Sequence, residues 1–146
     1  MRFRSYEMLR YLQLLTRVFQ ERDVRSIATV MLLELGIPAD SDGFQYLRSA
    51  IEMRHADPMA NFTKGIYPKV AQFYRTGDGW KHVDQAIRRS VRAAWNGREA
   101  EKWELFFLRN CGKMAICPSN KVFISQISSI IELCQKCREA DHERVT

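Results

Sequence analysis

Seven residues of polar and charged type crowd one short stretch: Lys81, His82, Asp84, Gln85, Arg88, Arg89 and Arg92. Their chemistry suits a nucleotide duplex. A glutamine amide pairs with adenine, a carboxylate accepts from cytosine N4, and an imidazole donates to a guanine acceptor. Guanidinium groups engage phosphates, which position a protein without reading sequence. Lys81, His82, Asp84 and Gln85 are therefore the candidate base readers, and Arg88, Arg89 and Arg92 the candidate phosphate ligands. The spacing predicts a helix over about 79–96. Trp80, Val83, Ile87, Val91, Ala94 and Trp95 recur at intervals of three and four and define a core face. The polar group falls on the side left free.

The charge supports this placement. The 146 residues carry a formal net charge of +6. Residues 64–98 alone hold eight basic and two acidic side chains, whereas residues 99–146 hold seven of each. A local cationic excess attracts a polyanion by neutralising phosphates and releasing counterions.

Helical spacing extends along almost the whole chain. Tyr11, Leu12, Leu15, Val18 and Phe19 form a stripe within residues 3–22, and Ile27, Val30, Met31 and Leu35 continue it. Gly36 and Pro38 read as a helix stop. Asp42 is the expected N-cap of a helix over 43–55, with Phe44, Leu47, Ala50 and Ile51 on one face. Asp57 before Pro58 is the expected start of the next, over 59–74, which Pro68 must kink or restart. Thr76-Gly-Asp-Gly79 reads as a turn, so residues 66–96 have the order of a helix-turn-helix unit. A helix over 99–108, a loop from Asn110 to Pro118, and a final helix capped by Ser119 or Asn120 and ending near 138 complete an all-α reading of six or seven helices, with a fraying polar tail.

Length and composition fit one domain with a real core: 46% of residues are hydrophobic and 27% charged. No apolar run approaches the ~18–20 residues of a membrane span. Glu7, Arg10 and Arg17 interrupt any signal-like segment, so the expected compartment is the cytoplasm. Cys134 and Cys137 have ligand-like spacing, but on a helix i and i+3 point one way with no turn between them. Cys111 and Cys117 are separated by five residues. The four thiols read as structural, with no metal and no cofactor. His55, His82 and His142 are scattered, and neither a phosphate loop nor a nucleophile motif is present, so nothing supports an enzyme. Trp80, Trp95 and Trp103 read as core, and Arg48 and Arg54 as solvated surface charges.

Five ordered stretches resemble a known family. They are Leu35-Gly-Ile-Pro-Ala39; Gly43-Phe-Gln-Tyr-Leu-Arg-Ser-Ala-Ile51; Ile66-Tyr-Pro-Lys-Val-Ala71 followed by Tyr74; Val83, Ala86-Ile-Arg88 and Ala94-Trp95; and Pro118-Ser-Asn120 with Phe123-Ile124. Together they resemble the C-terminal DNA-binding effector domain of the master sporulation response regulator, over about residues 25–138. The resemblance implies a six-helix domain that binds double-stranded DNA through the major groove, contacts an RNA polymerase sigma subunit and pairs as a homodimer on DNA. The family's base-reading Arg, Glu and Arg fall on His82, Asp84 and Gln85, so only the acid is kept in kind. The turn before the recognition helix is about two residues longer here. The family's receiver domain exceeds a hundred residues. Here residues 1–24 read as a helical extension and 25–146 as the effector-like domain, so phosphorylation switching is not expected of this chain as it stands. The Tyr11–Phe19 stripe either packs on its own domain or supplies a dimer surface. The alternative function is a protein-interaction module, binding RNA polymerase or another regulator, whose DNA affinity has decayed.

Overall fold

A helix opens where a side chain can bond the free N–H groups of its first turn. Asp23 does this for α1 (Val24–Glu34), accepting from the Ser26 N–H at 2.8 Å. Gly36 closes α1 at φ 84°. Its N–H donates to Leu33 O and the Ile37 N–H to Leu32 O, both at 3.0 Å, the paired bonds of a Schellman stop. The computed structural model describes residues 23–77, 79–107 and 116–145. Among these residues lie six α-helices, one π-helical turn and no strand, so the fold is all-α. The expected helix over 3–22 with its Tyr11–Phe19 stripe, most of the 110–118 loop, and Asp78 of the glycine turn lie outside the described residues.

The second helix, α2 (Asp42–Ala56), starts one residue earlier than its spacing implied. Ser41 is the cap, its Oγ accepting from Phe44 N at 3.1 Å, and Asp42 sits in the first turn, where its charge favours the helix dipole. Asp57 does not open a new helix. It ends α2, and its carboxylate accepts from the Met59 N–H at 3.1 Å, a local turn that outcompetes helix initiation. Asn61 takes over as cap, accepting from Lys64 N at 2.8 Å. The chain then winds as a π-turn (Phe62–Ile66), with Ile66 N donating to Asn61 O at 2.8 Å. Pro68 accounts for it: with no N–H to give, it cannot continue an ordinary ladder, and α3 (Tyr67–Phe73) begins around it.

Beyond the turn run α4 (Gly79–Asn96), α5 (Ala100–Phe106) and α6 (Asn120–Val145). The expected end near 138 is too short, because α6 continues to Val145. Cys134 is the last buried residue described, but the sequence beyond is rich in strong helix formers, and Glu132–Lys136 pairs at 3.3 Å on consecutive turns.

Central to the packing is α2, which lies against α1, α3, α4 and α6. Leu32, Leu47, Ile51, Val70 and Ile87 are sealed between these helices. Each buried aliphatic side chain of this kind contributes about 1.5–3 kcal/mol. A second nucleus joins α4, α5 and α6. Trp103 is 2% exposed, stacks on Phe107 with ring centres 5.4 Å apart, meets Trp95 edge-on at 5.5 Å, and donates its indole N–H to Leu35 O at 3.2 Å. Arg48 and Arg54 are not solvated charges. Arg54 donates to Ala60 O at 2.9 Å and lies over the Phe62 ring, and Arg48 reaches Thr29 from a half-buried position. Their long stems cover apolar surface, which a sequence count of charges does not reveal.

Candidate nucleic-acid interface

Helix α4 buries Val83, Ala86, Ile87, Ser90, Val91, Ala94 and Trp95. At 100° per residue, the half of the helix opposite this face carries Lys81, Gln85, Arg88 and Arg92, spaced four, three and four apart. All four are exposed, as is Arg89 beside them. The stripe from Lys81 to Arg92 is about 16 Å long at 1.5 Å per residue. It is cationic with one amide inside it.

The remaining two candidates stand on the flanks. His82 is half-buried and meets the Tyr46 ring of α2 edge-on, with centres 6.0 Å apart. Asp84 leans the other way, towards the start of α6. Its Oδ1 accepts from Asn120 Nδ2 at 2.9 Å, and its backbone carbonyl accepts from the same nitrogen at 3.0 Å. Its Oδ2 accepts from Arg88 Nη2 at 2.8 Å, one turn along. The structure thus brings Lys81, Gln85, Arg88, Arg89 and Arg92 onto one open side and sets His82 and Asp84 at its two edges.

Trp80 corrects the expected core face. It has the right spacing for the apolar stripe yet is 36% exposed, with the Lys81 ammonium 6.0 Å from its ring. It occupies the first turn of α4, before the helix passes between its neighbours. Periodicity marks a direction and cannot tell how soon packing begins.

The turn that aims α4 is tied to α2. Tyr74 meets Tyr46 at 5.3 Å and its hydroxyl shares a hydrogen bond with Ser49 Oγ at 2.8 Å. Arg75 takes φ 55°, closing α3 with bonds from Thr76 N to Ala71 O and from Arg75 N to Gln72 O. Five residues, 74–78, separate α3 from α4. At its far edge Gly79 adopts φ 68°. From the other side, Gly43 lets α2 approach closely: a Cβ there would lie 2.5 Å from Ala86 O and 2.0 Å from Ser90 Oγ.

Sequence reasoning missed Asn120. Of the two caps expected for α6, Ser119 fills the role, accepting from Val122 N at 3.3 Å. Asn120 instead spans to Asp84, 36 residues away in the chain. No local spacing could have shown that pairing. Tyr67 of α3 is buried in the same region, beside Asn120 and the Asp84 charge. Its hydroxyl has no hydrogen-bond partner within bonding geometry, and burial pushes its ionisation well above the usual phenol range.

The cysteines show no metal-binding geometry among the described residues, where no group of three or more His, Cys, Asp and Glu converges. Cys134 is in the core, and burial pushes the Cys117 thiol up, so Cys117 stays protonated at neutral pH. No described helix is long and apolar enough to cross a membrane.

A short helix, a turn anchored by Tyr74, and a longer helix with one sealed and one cationic face define a helix-turn-helix domain. Residues 27–131 match the model of the family described as "Sporulation initiation factor Spo0A C terminal". The chain belongs to that family, the DNA-binding effector domain of a sporulation transcription factor rather than an enzyme family.

Proposed function

We propose that this chain is a sequence-specific transcriptional regulator that inserts α4 into the major groove of double-stranded DNA while α3 lies over the backbone. The observation that carries this reading is the exposed Lys81–Gln85–Arg88–Arg92 stripe, flanked by Arg89, on a helix whose other side is sealed. An α-helix with side chains is about 10–12 Å across and the groove about 12 Å wide, so the stripe is the face that fits. Lys81, His82, Asp84 and Gln85, in the first two turns, are nearest to base edges. Arg88, Arg89 and Arg92 engage phosphates and set the register. His82 and Asp84 read from the edges of the stripe, and Gln85 from its middle. Contact with an RNA polymerase sigma subunit, pairing of two copies on DNA and action in the cytoplasm come with the family likeness as parts of the same reading.

Two variants test it against duplexes enriched from a random pool. Arg89→Ala should weaken binding alike on every sequence and reduce the salt slope by about one. Gln85→Ala should change the base preferred at one position. An unchanged preference profile for Gln85→Ala would overturn the docking of α4. Failure of the native chain to bind any duplex at low salt would favour the protein-interaction module.

A further inference from the structure

Arg88 is the only member of the outward stripe for which the structure gives an ion pair with a neighbouring carboxylate among the described residues. The two partners are held very differently. Asp84 is 21% exposed, and Asn120 grips both its Oδ1 and its backbone carbonyl. Asn120 is itself 7% exposed and rooted at the start of α6. The carboxylate therefore cannot swing away. Arg88 is 59% exposed and rides on a long flexible stem. If the pair opens, it opens by movement of the guanidinium.

Resting on the DNA-binding reading above, we propose that the Asn120-anchored Asp84 is a latch that withholds Arg88 from phosphates until a matching base edge is present. Oδ1 is turned to Asn120, which leaves Oδ2, with Arg88 on it, as the oxygen not held by α6. A cytosine amino group that bonds Oδ2 shares that oxygen's lone pairs and charge with Arg88 and so loosens the guanidinium's hold on it. A correct base thus frees a cation for the backbone. A wrong base leaves the cation latched and the carboxylate facing the phosphates. Asp84 in this way couples reading to affinity and lowers binding to indiscriminate duplex, which is specificity gained by a repulsive element.

The test is Asp84→Asn, with binding to a random duplex measured as a function of salt. The substituted amide keeps an oxygen, and the position keeps its backbone carbonyl, for Asn120, but Arg88 is offered no carboxylate. Releasing one arginine adds one phosphate contact, worth a slope steeper by about 0.9 and an affinity higher by about eightfold at 0.1 M salt. Affinity for the preferred duplex should fall, because position 84 no longer offers an acceptor to the cytosine amino group, so the ratio of preferred to random binding falls. The same substitution in an Arg88→Ala background separates unlatching from simple loss of a negative charge. There the gain in slope should vanish and the gain in affinity shrink to less than half. An unchanged random-duplex slope, or an equal gain without Arg88, would overturn the latch while leaving DNA binding intact. Absence of binding by both native and Asp84→Asn chains would instead overturn the underlying reading and the latch with it.

Discussion

Replacing Gly43 by alanine tests how α4 is held. The added Cβ would meet Ser90 Oγ at 2.0 Å, Ala86 O at 2.5 Å and Ser90 Cβ at 2.7 Å. The Ser90 hydroxyl could rotate away, at the expense of its bond to Ser41 Oγ at 3.1 Å. The Ala86 carbonyl and the Ser90 Cβ belong to the frame of α4 and cannot. To restore ordinary contact α2 and α4 must part by about 1 Å. Overpacking of this kind costs about 1–3 kcal/mol. Exchanging glycine for alanine in a helix returns up to about 1 kcal/mol, and less in a first turn such as this. The net expectation is a loss of about 1–2 kcal/mol, or a melting temperature about 3–7 °C lower for a chain of this length. A thermal melt followed by circular dichroism reads this directly. Adding Ser90→Gly should recover part of the loss and no more, because the Ala86 carbonyl remains. A Gly43→Ala chain that melts at or above the native temperature would refute the close-approach argument.

Two further outcomes follow from the same geometry. Arg75 holds φ 55°, which costs an ordinary residue about 1–2 kcal/mol, so Arg75→Gly should stabilise the domain by about 0.5–1 kcal/mol after the added freedom of the unfolded chain is counted. A lower denaturation midpoint would contradict it. Tyr67 resists ionisation in the fold, whereas the unfolded phenol titrates near its ordinary value of 10.0. The folded state therefore binds the proton more tightly, and the stability this confers is complete below pH 10 and is lost as pH climbs from there towards the raised folded value. Tyr67→Phe should flatten this alkaline decline, read as the change in urea midpoint between about pH 8 and pH 11. Equal declines in both chains would show that Tyr67 is not its source.

The helices were legible in the sequence because burial along this chain repeats at three and four residues. Gly36 marked the end of α1 because only a residue free to take positive φ completes that stop. Errors gathered where local chemistry competes. Ser41 and Asp42 are both good caps, and spacing cannot choose between them. Asp57 with Pro58 has the form of a helix start, but the side chain bonds Met59 and makes a turn. Periodicity also follows burial rather than helicity, so it ended α6 near 138 instead of at Val145 and placed Trp80 in a core that begins one turn later. For the candidate interface, composition and spacing showed which side chains face outward. The Asp84–Arg88 pair, four residues apart on one helix, was open to the same reasoning, but the grip of Asn120 on Asp84 was not, because that contact depends on where distant helices meet.

The central claim is that the open face of α4 meets phosphates. Fluorescence anisotropy of a labelled random duplex, titrated with the full chain at several salt concentrations, tests it most directly. Binding at low salt with a log–log slope of about −2 or steeper, from Arg89 and Arg92 at least, is the predicted result. Binding that does not respond to salt, or no binding below about 50 mM salt, would contradict it.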